Sequence, residues 1–284
     1  DCEKWTKTTM TDQPQQNDSR HPIDAPQTLQ NLFFVRKTLA GDDGRDGTIH
    51  VADGVELGYR LYLRSNNSPL LLYWHGNGEI AGDYDPVAPL YHAVGLSFMV
   101  VDYRGYGWST GHPLASTLLP DAAQVMQALP DILQQHRVAA DVPLFVKGRS
   151  LGSAPATYIA QQYGERLRGV IIESGYADAP SLFRRLNIPI PQGLLEDNNV
   201  VLPINNAERM AQVGIPLLVI HGSNDTILPV GHGQALHEAH PGPDKTLLII
   251  DGANHNNILM ADASRYFSAV RQFVQQHQAN NSNA

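Results

Sequence analysis

Apolar and polar residues alternate along two short segments early in the chain. These segments cover residues 48–51 and 55–63, and Asp53 and Gly54 lie between them. Strict alternation is typical of a strand with one buried face, and Asp-Gly between two such runs is typical of a tight hairpin turn. The pattern therefore predicts an antiparallel hairpin at the start of the folded region.

Later segments are apolar without interruption, which is typical of parallel strands covered by helices on both faces. Amphipathic segments with helical periodicity lie between most of them. The apolar runs are residues 70–74, 96–101, 144–146, 169–172, 217–220 and 246–250, and the helical segments are 86–93, 118–135, 154–163, 233–240 and 261–276. This alternation predicts an α/β fold with a mostly parallel central sheet flanked by helices.

One interval between two predicted strands is too long for a simple crossover. Residues 175–214 contain many apolar side chains and four prolines. Because long insertions in compact domains are commonly lids or binding loops, we interpret this interval as a small cap insertion. The alternative is a helical excursion that packs on the core. The domain organisation is then a flexible arm over 1–30, one domain over 31–277 and a disordered tail over 278–284.

Composition narrows the classes of partner. The chain has 284 residues and a formal net charge of -8, which argues against nucleic acid as a main partner. It contains no run of about 18 apolar residues, so we expect no membrane span. Its single cysteine, Cys2, excludes an internal disulfide and favours a cytoplasmic location. The sequence leaves the oligomeric state open.

The chain begins with Asp1, and its first methionine is Met10. We interpret Met10 as the natural start and residues 1–9 as added sequence. The alternative is a processed lipoprotein, but a lipidated cysteine would stand first and Cys2 stands second.

The strongest chemical signal is the motif G-x-S-x-G at residues 148–152, with Ser150 at its centre. A predicted strand precedes the motif and a predicted helix follows it. A serine on a sharp strand-to-helix turn exposes its hydroxyl above the sheet, and glycines flank it because a Cβ would clash there. This context makes Ser150 the candidate nucleophile.

A serine hydroxyl needs a base to take its proton and a third group to orient that base. Asp225 and His255 each follow a predicted strand, as Ser150 does. Residues just past the carboxyl ends of parallel strands meet in one crevice, so we predict that these three side chains meet. Glu173 and Asp251 are rival candidates for the position of Asp225.

The loop H-G-N-G at residues 75–78 follows the strand that ends at Trp74. Acyl transfer develops negative charge on the former carbonyl oxygen, which two backbone N–H groups commonly receive. We predict an oxyanion hole formed by the N–H groups of Leu151 and Asn77, with Gly78 as the alternative to Asn77.

Five segments together resemble the α/β-hydrolase superfamily, and in particular its small-cap, esterase- and thioesterase-like serine hydrolases. They are residues 75–78, 102–107, 148–152, 221–225 and 254–255. The resemblance extends over roughly residues 45–275. It implies Ser150 as the nucleophile, Asp225 as the acid and His255 as the base.

These observations predict a serine hydrolase that cleaves a small ester or thioester substrate through an acyl-enzyme on Ser150. The alternatives are a small-peptide or amide hydrolase, an acyltransferase and a non-catalytic binding scaffold. We expect no cofactor. We also expect no metal, because only one residue separates Glu238 from His240, whereas a zinc helix of the H-E-x-x-H type needs two.

Overall fold

The computed structural model describes residues 21–185, 187–188 and 205–279. Within these ranges the strands form a single eight-stranded sheet in the order β1-β2-β4-β3-β5-β6-β7-β8. The strands are β1 (Asp46–Ala52), β2 (Val55–Tyr62), β3 (Leu70–Trp74), β4 (Ser97–Val101), β5 (Leu144–Arg149), β6 (Gly169–Glu173), β7 (Leu217–Gly222) and β8 (Lys245–Ile250). β1 pairs with β2, and β2 with β4, in antiparallel fashion, and the other pairs are parallel. The predicted α/β fold and its antiparallel start are confirmed.

Helices cover both faces of this sheet. They are α1 (Pro26–Leu32), α2 (Ala88–Ala93), α3 (Leu118–Gln135), α4 (Ser153–Gln162), α5 (Ala179–Arg185), α6 (Asn206–Met210), α7 (Gly231–Ala239) and α8 (Ile258–His277). Because strand side chains alternate, Leu70, Leu72 and Trp74 of β3 pack in one apolar cluster with α3 and α4. Leu71 and Tyr73 pack in a second cluster with α2 and α8. Burial on both faces explains why these strands are apolar throughout.

The packed region begins earlier than the sequence indicates. A 3-10 helix (Pro22–Asp24) and α1 fall almost entirely within the predicted arm, yet Ile23 is buried and so are Leu32 and Phe33. The predicted boundary near residue 30 therefore differs from the structure, in which the side chain of residue 23 is already buried. Isolated apolar residues in so short a segment give no helical period, so the sequence offered no signal. Residues 1–20 lie outside the described ranges.

The predicted cap is described only at its two ends. Residues 186 and 189–204 lie outside the described ranges, while α5 and α6 lie inside them. The two described ends meet, because Asp178 forms an antiparallel bridge with Asn205 and the Ala207 N–H donates to the Ala177 carbonyl at 2.9 Å. The cap stays a prediction.

Candidate active site

Ser150 follows the last residue of β5 and has a backbone φ of 51°. This left-handed region is disfavoured for residues with a Cβ, and such strain persists only where the surroundings hold the backbone in place. A 3-10 helix (Ser150–Gly152) then leads directly into α4. The local structure is therefore the sharp strand-to-helix turn that the motif predicts.

The two motif glycines are needed because backbone segments approach each other closely. A Cβ on Gly148 would lie 2.1 Å from the carbonyl oxygen of Gly152. A Cβ on Gly152 would lie 2.0 Å from the carbonyl oxygen of Trp74, at the end of β3. Both distances are far below any van der Waals contact, so the turn can pack against β3 only with glycine at these positions.

Three side chains form a hydrogen-bonded chain at the carboxyl edge of the sheet. His255 Nε2 lies 2.9 Å from Ser150 Oγ, and His255 Nδ1 lies 2.7 Å from Asp225 Oδ2. Because a carboxylate only accepts hydrogen bonds, the proton of a neutral His255 is on Nδ1. Nε2 is then free to accept the proton of the serine hydroxyl, which is the arrangement that a general base requires.

The carboxylate of Asp225 is fixed by its own loop. Its Oδ1 accepts hydrogen bonds from the N–H groups of Ile227 at 2.9 Å and Leu228 at 2.7 Å. Burial opposes ionisation, but hydrogen bonds from His221, from His255 and from the Leu228 N–H outweigh it and hold the pKa of Asp225 well below its usual range. Asp225 is therefore ionised across the neutral range.

The rival acids occupy other environments. Glu173 Oε2 lies 2.7 Å from Lys147 Nζ and accepts a hydrogen bond from the Tyr266 hydroxyl at 2.6 Å. Asp251 is exposed to solvent. The carboxylate that contacts His255 is that of Asp225.

The loop after β3 is held by contacts that the sequence does not reveal. Asn77 Nδ2 donates to the Leu32 carbonyl at 2.6 Å, and Asn77 Oδ1 accepts from the Phe34 N–H at 2.9 Å and from the Tyr106 hydroxyl at 2.7 Å. Asn77 and Leu151 both line the cavity next to Ser150. The two residues predicted to form the oxyanion hole therefore border the same space, while their role in charge stabilisation stays a prediction.

His75, the first residue of the loop after β3, is anchored in the core. Its ring is fully buried, and Nε2 lies 3.0 Å from Asp102 Oδ1. Burial acts to lower the pKa of His75, but the Asp102 carboxylate outweighs it and raises that pKa. The Tyr103 hydroxyl donates to the His75 carbonyl at 2.6 Å. These contacts indicate a structural role for His75.

Arg149, directly before Ser150, has contacts that the sequence does not predict. Its guanidinium forms an ion pair with Glu79 of the loop after β3. Its Nη2 donates to the His255 carbonyl at 2.8 Å and to Asn256 Oδ1 at 3.0 Å. Arg149 thus connects the loop of His255 to the loop of the predicted oxyanion hole. The only signal in the sequence was a cation at the end of a buried strand.

A cavity of about 450 Å³ opens over Ser150. This volume falls within the range typical of small-molecule sites. The described lining is mostly apolar and contains no aspartate or glutamate, and it consists of Asn31, Leu32, Phe34, Asn77, Arg149, Ser150, Leu151, Tyr176, Leu182, Ile227, Leu228, His255 and Asn256. The first three of these residues come from the segment before β1, which the sequence did not connect to the site.

Known protein sequences match most of this chain. A hydrolase family model described as serine aminopeptidase, S33, matches residues 65–195. An uncharacterized protein of Mycobacterium tuberculosis is 30% identical over 235 residues, which cover 81% of this chain and 79% of that protein. An uncharacterized membrane protein of Saccharomyces cerevisiae is 31% identical over 233 residues, covering 80% of this chain and 78% of that protein.

Among the described residues, none of the helices combines the length with the apolar composition that a membrane-spanning helix needs. The cellular location stays a prediction.

The fold is similar to that of an esterase of Pyrococcus furiosus. The two structures superpose with a TM-score of 0.69 over 86% of this chain and 99% of that chain, at 18% sequence identity. At this identity the likeness shows a shared fold, and the chemistry must be argued from the residues of this chain.

Proposed function

This chain belongs to the α/β-hydrolase superfamily, and we propose that it is a serine hydrolase that cleaves carboxylic ester or thioester bonds through an acyl-enzyme on Ser150. One observation carries the proposal. The hydrogen bonds from Ser150 to His255 and from His255 to Asp225 connect a nucleophile, a base and an ionised carboxylate in the order that acyl transfer requires.

The first half-reaction forms the acyl-enzyme. Ser150 Oγ attacks the carbonyl carbon of the substrate while His255 Nε2 takes the hydroxyl proton. The Asp225 carboxylate stabilises the imidazolium that results. The same imidazolium then gives its proton to the leaving alcohol or thiol as the bond to the acyl carbon breaks.

The second half-reaction releases the acid. Water attacks the acyl carbon and His255 takes its proton, after which Ser150 Oγ leaves and is reprotonated. In both steps we assign the oxyanion to the backbone N–H groups of Leu151 and Asn77. Each donor of this kind is worth roughly 3 kcal/mol of barrier lowering.

The cavity lining supports an ester or thioester with an apolar acyl part. An aminopeptidase substrate brings a free ammonium group, which a site commonly binds with a carboxylate. The described lining offers none, and its apolar side chains include Leu32, Leu182, Ile227 and Leu228. We therefore rank ester or thioester cleavage above the aminopeptidase activity that the description of the family model suggests.

A panel of p-nitrophenyl esters with acyl chains from short to long tests this proposal. We expect hydrolysis that is fastest for short to medium chains. The Ser150→Ala variant should lower kcat/KM by about 10⁴-fold or more, because removing a nucleophile of this type leaves only binding and oxyanion stabilisation. The same preparations should show little activity on aminoacyl p-nitroanilides.

Ser65→Ala is the matched control, because Ser65 is exposed and lies just before β3, at the opposite end of that strand from the site. It should retain wild-type rates. Ester hydrolysis that persists in Ser150→Ala at wild-type rate would contradict the proposal, and faster cleavage of the p-nitroanilides than of every ester would contradict the choice of substrate class.

A further inference from the structure

Residues 31–36, which include the end of α1 and the start of the segment that follows it, form one side of the cavity over Ser150. Asn31, Leu32 and Phe34 line this space together with residues that come more than 40 positions later in the chain. Phe34 is 63% exposed, although it borders the nucleophile's cavity. A large aromatic side chain in such a position has much apolar surface that a bound molecule could remove from water.

The backbone of this segment is held in register with the loop after β3. The side-chain amide of Asn77 makes a two-point pairing with it, donating to the Leu32 carbonyl at 2.6 Å and accepting from the Phe34 N–H at 2.9 Å. Arg36 adds a hydrogen bond from Nη1 to the Gly78 carbonyl at 3.1 Å. Three contacts within five residues therefore fix the segment against the loop.

The two side chains before Phe34 anchor this segment in the core. Leu32 and Phe33 are buried in the core cluster, and Phe33 has an extended backbone with φ -119° and ψ 122°. Successive side chains of extended backbone point to opposite sides. Phe33 thus faces the core while Phe34 faces the cavity and the solvent, on a backbone that is fixed from both sides.

We propose that Phe34 determines substrate specificity by packing against the apolar chain of the ester, so that residues 31–36 are part of the active site. This inference rests on the proposed ester hydrolysis. When a chain enters the cavity, each methylene that reaches the ring removes further apolar surface of both partners from water. Preference for long over short chains should then depend on this ring.

The test compares Phe34→Ala with Leu39→Ala. Leu39 belongs to the same stretch before β1 and is 87% exposed, but it does not line the cavity. Both residues are exposed, so both variants should keep the wild-type thermal midpoint. We expect Phe34→Ala to lower the ratio of kcat/KM for octanoate over acetate esters by about tenfold, the lower end of the discrimination that one methylene gives in an apolar pocket. Leu39→Ala should leave this ratio unchanged.

Two substrate series distinguish the acyl chain from the alkyl chain of the alcohol. The first is a set of p-nitrophenyl esters with increasing acyl length, and the second is a set of alkyl butyrates followed by acid release. A loss of chain-length preference in the first series shows that Phe34 contacts the acyl chain, and a loss in the second shows that it contacts the alcohol. Unchanged preference in both series would overturn the proposal.

A binding measurement separates failure of this inference from failure of the proposed function. A fluorescent medium-chain fatty acid is titrated into Ser150→Ala protein, where no turnover is needed. Adding Phe34→Ala to this Ser150→Ala protein should weaken binding of the fatty acid, and adding Leu39→Ala should leave its binding unchanged. If wild-type protein hydrolyses no ester while the two double variants still differ in fatty-acid binding, the proposed ester hydrolysis is wrong and the contact of Phe34 with an apolar chain is supported. Equal binding by both double variants would overturn the role of Phe34.

Discussion

At the scale of single residues, Lys147 and Arg149 place two positive charges inside the protein. They are two positions apart on β5 and therefore lie on the same face of the sheet. A buried charge is costly unless it is paired, and Glu173 on the neighbouring strand β6 partners both. Its Oε2 lies 2.7 Å from Lys147 Nζ and its Oε1 lies 3.3 Å from Arg149 Nε. Because Arg149 also holds the His255 loop, this pairing supports the site.

Removing the charge of Glu173 should destabilise the protein. Glu173→Gln removes the carboxylate that pairs with the buried Lys147, while Arg149 keeps its ion pair with Glu79. Breaking such a buried pair typically lowers the free energy of unfolding by about 3–5 kcal/mol. Urea denaturation at pH 7 measures this loss. Asp251→Asn, at an exposed carboxylate, is the control and should leave the unfolding free energy unchanged.

The stabilisation that is lost in Glu173→Gln should depend on pH. Burial opposes ionisation of Glu173, but Lys147 and Arg149 outweigh it and lower its pKa from 4.5 to about 2. A lowered pKa in the folded state stabilises the protein above pH 4.5, and this stabilisation is lost as the pH falls towards 2. The difference in unfolding free energy between wild type and Glu173→Gln should therefore shrink below pH 4.5. A difference that is absent at pH 7, or constant down to the lowest pH at which both proteins fold, would contradict this account.

The sequence predicted the candidate triad because each member follows its own apolar strand. Ser150, Asp225 and His255 could be placed at one edge of the sheet from that pattern alone. Arg149 and Phe34 could not, because their roles depend on contacts between segments far apart in the chain. The Phe34 N–H, for example, donates to a side chain 43 residues later.

At the scale of elements, the junction of β5 with α4 determines the position of Ser150. The strained backbone of Ser150 is maintained because the turn packs against the end of β3 with no side chain between them. The loop that carries Asn77 begins just after β3. A shift of this junction therefore moves Ser150 and the loop of Asn77 relative to each other.

Gly152→Ala should damage both stability and activity. The new Cβ would lie 2.0 Å from the Trp74 carbonyl oxygen, so the turn or β3 must move. Overpacking of this kind typically costs about 1–3 kcal/mol of unfolding free energy, and kcat/KM for esters should fall with it. Gly214→Ala is the matched control, because a Cβ there meets nothing within 4 Å. Equal unfolding free energies and equal kcat/KM values in the two alanine variants would contradict the claim that stability and activity require glycine at position 152.

Elements with a clear period were predictable, and elements held by tertiary contacts were not. Helix α3 spans Leu118–Gln135, the bounds that its apolar periodicity predicts. Helix α1 has only seven residues and depends on core contacts of Leu32, so its short sequence offered no period. The helix predicted over 86–93 is divided, because a 3-10 helix (Ala81–Val87) precedes α2.

At the scale of the whole molecule, the site exists because one edge of a parallel sheet gathers distant parts of the chain. Ser150 and His255 are 105 positions apart, and Asp225 and His255 are 30 positions apart. Strands β5, β6, β7 and β8 are neighbours in that order and run in parallel, so their carboxyl ends share one edge. The segment before β1 then closes one side of the cavity. We propose that this arrangement is the active site of a serine hydrolase.

The most direct test of this proposal is labelling with a fluorophosphonate probe, followed by intact-protein and peptide mass spectrometry. Such a probe reacts covalently with a serine only where a neighbouring base activates it. We predict one adduct on folded wild-type protein, mapped to Ser150, and none on Ser150→Ala or on wild-type protein denatured before labelling. Folded wild-type protein that gains no adduct, or a Ser150→Ala variant that is labelled to the same extent, would contradict the account.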